Sequence, residues 1–167
     1  NAYSVTVRAT DAGGLTFDKV IVVDVTDVNE APTGIALSAS VVAENLPTGT
    51  TIGTFSTSDP DAGNTFTYTL VPVPGNSDDA SFTIVGDTLK TTTSFDFEAK
   101  SSYSVTIRAT DGGGLSLDKV FTINVTNLNE APVAQPSSVT TNEDQELRFA
   151  ATDFLFADPE GDSLASI

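Results

Sequence analysis

The chain has 167 residues, 23 of them acidic and seven basic, for a formal charge of −16, and it holds no histidine, cysteine, methionine or tryptophan. Without thiols or imidazoles there is no disulfide framework, zinc or haem ligand set or histidine general base, and so acidic a surface repels nucleic acid and anionic membranes. A hydrophobic share of 39% is too high for a disordered acidic tail, so the acids are expected on a folded scaffold with a core.

The chain does not begin with Met and opens in the middle of a strand pattern, so it is expected to be a piece of something longer. Tyr3, Val5, Val7 and Ala9 alternate with polar residues and line one face of a strand. Asp11-Ala12-Gly13-Gly14 turns the chain, and a second strand runs from about Lys19 to Val25 with Ile21, Val23 and Val25 on the buried face. Asp27-Val28-Asn29-Glu30-Ala31-Pro32 follows, oxygen-bearing side chains closed by a proline that stops the strand from continuing.

This hairpin and linker return without a gap 100 residues later, with 20 identities in the 30 positions between residues 3–32 and 103–132. A repeat of about 100 residues suits one β-sandwich. Between the linkers, strands are expected at Ile35–Ser38, Thr51–Phe55, Phe66–Leu70, Phe82–Val85 and Thr88–Thr91, with Gly86-Asp87 as a tight hairpin turn. The two repeated strands, Tyr103–Ala109 and Val120–Val125, bring the count to seven. The spacing therefore predicts an all-β, seven-stranded Greek-key sandwich in tandem repeats. Its core would hold Leu37, Ile52, Phe55, Tyr68, Leu70, Phe82, Ile84, Leu89, Tyr103, Val105, Ile107, Ile123 and Val125.

A third unit opens after Pro132, where Glu143 stands 15 residues before Asp158 as Glu44 stands 15 before Asp59. The expected division is 1–32, the last strands of one unit and a linker; 33–132, a complete unit and its linker; and 133–167, the start of a third. No stretch nears the roughly 18 apolar residues of a membrane span, and no signal peptide is visible.

The acids gather at strand ends. Asp59-Pro60-Asp61 and Asp96-Phe97-Glu98 each project two carboxylates from one local surface, and such pairs repel unless a cation neutralises them. Calcium is the hard cation that takes roughly 6–8 oxygen ligands in adaptable geometry, whereas magnesium keeps more water and a tighter octahedron. Taken singly these acids read as solvated turn residues; their recurrence in register with an acidic linker favours a cation.

Ala43-Glu44-Asn45, Asp59-Pro60-Asp61, Phe95-Asp96-Phe97-Glu98, Ala109-Thr110-Asp111 and the Asp27–Pro32 linker, in that ordered set, resemble the cadherin-repeat family, in the form found in large secreted bacterial adhesins. The glycine-rich nonapeptide calcium repeats of some adhesins are absent from the sequence. The resemblance implies calcium between consecutive units. At the first joint it implicates Asp27, Asn29, Glu30, Asp59, Asp61 and Asp111, with further ligands upstream. At the second it implicates Glu44, Asp96, Glu98, Asn127, Asn129, Glu130 and Asp158, with Glu160 where the pattern has Asp, and it gives Asp11 to a joint before residue 1. Asn127 stands where Asp27 does, which removes a charge from the second joint, and Glu30 and Glu130 stand where animal cadherins usually carry Asp.

The reading that follows is a calcium-stiffened segment of an extracellular or cell-surface adhesin stalk or fibre. Its partners would be neighbouring repeats, other copies in a fibre, and a cell-surface or polysaccharide target, with no nucleic acid and no membrane span in this segment. The alternative is a carbohydrate- or protein-binding sandwich module; the absence of Trp and the three Tyr speak for the first. An enzyme is not expected, because two acids one residue apart, such as Asp96 and Glu98, rarely face each other across a scissile glycosidic bond.

Overall fold

The computed structural model describes residues 1–75, 78–150 and 153–163. Strands β1 (Ala2–Thr10) and β2 (Thr16–Asp24) form an antiparallel hairpin that sets Val5 opposite Ile21 and Arg8 opposite Asp18. The turn between them closes by the Gly14 amide donating to the Asp11 carbonyl (3.0 Å), with Gly14 at φ 87°. One hundred residues on, β9 (Ser102–Thr110) and β10 (Ser116–Thr126) repeat the register, with Val105 opposite Phe121 and Arg108 opposite Asp118. Both hairpins are longer than the apolar alternation alone suggests, because pairing continues through their polar ends.

The complete unit adds β3 (Gly34–Leu37), β4 (Val41–Ala43), β5 (Thr51–Ser58), β6 (Thr67–Leu70), β7 (Phe82–Val85) and β8 (Thr88–Thr91), with one turn of 3-10 helix at Asp78–Ser81. Two four-stranded sheets result, in the orders β3-β5-β8-β7 and β4-β10-β9-β6. The sandwich is thus the expected all-β fold, with one strand more than seven among the described residues. The addition is β4, three residues too short to show a period, which lies parallel to β10 with Val42 opposite Val125. β3 and β4 are one leg that changes sheets between them. Where it crosses, a Cβ on Gly53 would come within 2.7 Å of the Ala39 carbonyl oxygen, so only glycine lets the two backbones pass. The β7–β8 turn uses Gly86 at φ 64°, as its sequence requires.

The core lies between these sheets. Ile52, Phe55, Phe82, Leu89, Val105, Ile107, Ile123 and Val125 are buried as expected, while Leu37, Tyr68, Leu70, Ile84 and Tyr103 pack partly buried against them. Ile35, Val42 and Phe95 are buried as well, though the strand pattern did not single them out. Phe95 stacks at 4.5 Å from Tyr103 and 5.6 Å from Phe82, which fixes the segment leading to Asp96 and Glu98. Leu89 is wholly buried, so its truncation to alanine is worth about 2–5 kcal/mol.

Beyond Pro132, β11 (Val133–Ala134) pairs antiparallel with β12 (Phe156–Ala157); positions 151–152 and 164–167 of the expected third unit lie outside the described residues. Among the described residues, Asn45 (φ 61°) and Asp144 (φ 63°) are the non-glycine residues with left-handed backbone. They immediately follow Glu44 and Glu143, the pair matched by spacing.

Candidate metal centre

At the first joint the linker leaves β2 and lies against the complete unit. Carboxylate oxygens of Asp27, Glu30 and Asp61 come within 4.8 Å of one another. The Glu30 amide donates to Asp61 Oδ2 at 2.8 Å, and the Asp61 amide donates to Asp59 Oδ1 at 2.9 Å. Asp59 Oδ2 is buried with no hydrogen-bond partner among the described residues. Asn29 Nδ2 donates to Asp111 Oδ2 at 3.0 Å. Burial pushes the Asp111 carboxyl up, but Asn29 and the amides of Leu115, Gly113 and Gly114 outweigh it and hold the group below the usual aspartate range. Glu30 is pushed the other way, first by a hydrogen bond with Asp61 and by the Asp61 charge, then by burial and by Asp27 and Asp59.

At the second joint the complete unit lies on the other side of the linker, and the arrangement is built from within. Glu44 is fully buried (0% exposed). Its Oε2 accepts the Phe97 amide and its Oε1 the Leu128 amide, both at 2.7 Å, so one side chain ties the Asp96–Glu98 segment to the linker. Carboxylate oxygens of Glu44, Glu98, Glu130 and Glu160 converge within 4.8 Å. Asn127 Nδ2 donates to Glu98 Oε1 at 2.9 Å, Asn45 Nδ2 donates to Glu130 Oε1, and the Glu130 amide donates to Glu160 Oε1 at 3.3 Å. Glu130 Oε2 and Glu160 Oε2 are buried without a hydrogen-bond partner among the described residues. Glu98 is exposed, but the desolvation of its carboxylate by the joint raises it, and the charges of Glu44, Glu160 and Asp96 add to this.

Seven of the singled-out residues lie outside these two groups of carboxylates: Asn29, Asp59, Asp111 and Asn127 bond to their members or neighbours, while Asp96, Asn129 and Asp158 make only local contacts among the described residues. Asp96 Oδ1 accepts the Ala99 amide at 2.8 Å, Asp158 Oδ1 accepts the Asp162 amide at 2.9 Å, and Asn129 Nδ2 donates to the Glu130 carbonyl at 3.2 Å. Asp11, assigned to a preceding joint, accepts the Gly13 and Leu15 amides at 2.9 and 2.8 Å. Asn45, which the sequence places only in a motif, bonds to Glu130 from a left-handed backbone directly after Glu44 that no strand period shows.

An all-oxygen donor set from loops and a linker, several of its members anionic, is the chemistry a hard cation selects. Of the five buried carboxylate oxygens without a donor among the described residues, three belong to the joints, Asp59 Oδ2, Glu130 Oε2 and Glu160 Oε2, and are what such an ion would satisfy. The residues present therefore fit calcium.

Comparison with known proteins points the same way. The Cadherin domain family matches residues 38–126. Protocadherin-16 of Rattus norvegicus is 32% identical over 168 residues, covering 95% of this chain and 5% of that protein. Protocadherin beta-1 of Homo sapiens is 30% identical over 144 residues, 78% of this chain and 16% of that protein. The chain thus spans only a small part of the length of these curated relatives. Among solved structures, the protocadherin gammaB7 EC3-6 cis-dimer matches with a TM-score of 0.69 at 24% identity, over 95% of this chain and 42% of that one. The protocadherin GammaB4 extracellular domain matches with a TM-score of 0.65 at 25% identity, over 95% and 29% respectively.

Proposed function

The chain belongs to the cadherin domain family, and from that premise we propose that 1–32, 33–132 and 133–167 are successive repeats whose joints bind calcium and are stiffened by it. Cadherin domains are adhesion modules of the cell exterior, not enzymes, and this chain is placed there with them. The observation that carries the calcium reading is the buried, donorless oxygen on each of Asp59, Glu130 and Glu160, set among acids drawn from the linker and the following unit at the first joint and from the linker and both units at the second.

Bound calcium supplies positive charge shared by both units and the linker. The rest follows from the chain itself. Without an ion, Asp27, Glu30 and Asp61 at one joint, and Glu44, Glu98, Glu130 and Glu160 at the other, repel within a few ångströms and favour separation of the units. With their charge neutralised, the same side chains hold linker and loops in one arrangement, and a hinge becomes a rod. Asn29, Asp59 and Asp111 join the first group through the linker contacts described above, and Asn127 joins the second through Glu98. A series of such joints is the stalk of an adhesion protein or the body of a fibre. The relatives named above are animal proteins and support the repeat and its setting; the reading of this segment as part of a bacterial adhesin rests on the resemblance of its ordered motifs alone.

Calorimetric titration with calcium, paired with small-angle scattering, tests this. The expected result is binding of more than one ion with a longer, stiffer particle. Asp59→Ala/Asp61→Ala should weaken binding at the first joint by about tenfold or more. No heat of binding at millimolar calcium would leave the acids as a solubilising coat and sink the proposal.

A further inference from the structure

Strand β10 is covered on one side along its length and on the other only at its end. Its ladder with β9 runs through the odd-numbered residues, the Val125 amide donating to the Ser101 carbonyl at 2.9 Å. The even-numbered residues turn their backbone groups the other way, where the Asn124 amide donates to the Ser40 carbonyl at 2.9 Å and the Thr126 carbonyl accepts the Glu44 amide at 3.1 Å. There β4 pairs with Asn124 to Thr126 and goes no further. Asp118, Val120 and Thr122 therefore present amides and carbonyls to a side on which no strand lies among the described residues. All three are exposed, Val120 by 60%. Lys119, the charge that could guard such an edge, is drawn away from it, its Nζ donating to the Ile35 carbonyl of the facing sheet at 2.6 Å.

The occupant that fits is the same edge of a second copy. Antiparallel pairing about a two-fold axis at Val120 sets Val120 against Val120 and Asp118 against Thr122, with about six backbone hydrogen bonds. Lys119 then stands opposite Phe121, so no like charges meet. Asp118 is already paired with Arg108 at 2.6 Å and brings no unneutralised charge to the edge. Other registers fail. An axis at Lys119 or at Asp118 sets that residue against its own copy, and an axis at Phe121 sends Asp118 to Asn124, which β4 already occupies. We propose that β10 joins two copies of this chain edge to edge, a lateral contact between neighbouring chains. It uses the complete unit and none of the joint acids, so it goes beyond the calcium reading and does not depend on it.

The test is sedimentation equilibrium of the whole chain, with amide exchange at Asp118, Val120 and Thr122 followed by NMR as concentration rises. The expected result is a dimer in which those three amides gain protection with concentration, in calcium and in chelator alike. Val120→Pro removes only the outward amide and leaves the ladder to β9 intact, and it should weaken the dimer at least tenfold. Val120→Asp and Val120→Lys each place like charges across the axis and should be monomeric, while an equimolar mixture of the two should dimerise again. A chain that stays monomeric at millimolar concentration, a dimer unchanged by Val120→Pro or Val120→Asp, or a mixture that stays monomeric would each overturn the proposal. Failure of the calcium titration leaves every one of these outcomes readable.

Discussion

The two joints show opposite halves of one design. At the first, the complete unit lies after the linker and holds it through loop acids, with Asp61 and Asp111 receiving Glu30 and Asn29. At the second, the complete unit lies before the linker and holds it through Glu44, a fully buried carboxylate that takes one amide from the Phe97 loop and one from Leu128. The lesson is that grip on the outgoing linker is part of the domain's own stability, whereas grip on the incoming linker is not. Glu44→Ala removes a buried carboxylate that accepts two amides, each bond to a carboxylate being worth roughly 1.5–3 kcal/mol, so urea unfolding should show a loss of about 2–5 kcal/mol. Glu143→Ala, the exposed counterpart in the third unit, should change stability by no more than about 0.5 kcal/mol. Equal effects would break the comparison.

A smaller effect sharpens it. The linkers differ at their first position, where Asp27 is one of three converging acids and Asn127 instead donates to Glu98. Asn127→Asp replaces a hydrogen bond that quiets Glu98 with a further negative charge. Without calcium the joint should loosen; with calcium it should bind roughly 3–10-fold more tightly, since a charge is added beside the ion. Calorimetry with and without the substitution reads both arms. A tighter calcium-free joint would show that Asn127 matters for packing and not for charge.

Much of this was legible in the sequence because the repeat supplied its own control. Residues matched at a spacing of 100 adopt one register in both hairpins, so local structure follows from the alternation and the glycine turns. Burial does not follow in the same way. Val5 is 51% exposed and Val105 not at all, since the second hairpin has an opposing sheet and the first has none among the described residues. The acids were legible as a class, and Glu44, Glu98, Glu130 and Glu160 do converge. Which acids merely close turns was not legible, because Asp96 and Glu98 differ by a single residue and only Glu98 points into the group. Nor was β4, three residues long, or Asp78. Burial pushes the Asp78 carboxyl up, yet the Lys100 ammonium and the Ser104 amide outweigh it and hold the group below its usual range. Such contacts depend on chain crossings that no local period records.

Protons should separate the joints most finely. Glu130 is held above the ordinary glutamate range, first by the Glu160 carboxyl set against it; Asn45 opposes this, and burial and the charges of Glu44 and Glu160 add to it. Glu98 is raised too, whereas at the first joint Glu30 is the raised group. An acid whose pKa is raised by docking favours the docked, calcium-free joint fully below the undocked value, roughly 4.3 for glutamate, and loses that contribution as pH rises through the docked value. Calcium needs the same groups ionised, so its affinity should fall over the same window as pH drops. Acid therefore closes the empty joint while it expels the ion. Two raised glutamates against one means that calcium should displace more protons from the second joint than from the first when pH lies in that window. Titrations in buffers of different ionisation enthalpy count those protons, with Asp59→Ala/Asp61→Ala silencing the first joint and Glu160→Ala the second. Equal counts would mean that Glu98, exposed as it is, is free of its neighbours' charge in solution, and the second joint would then be no more acidic in behaviour than the first.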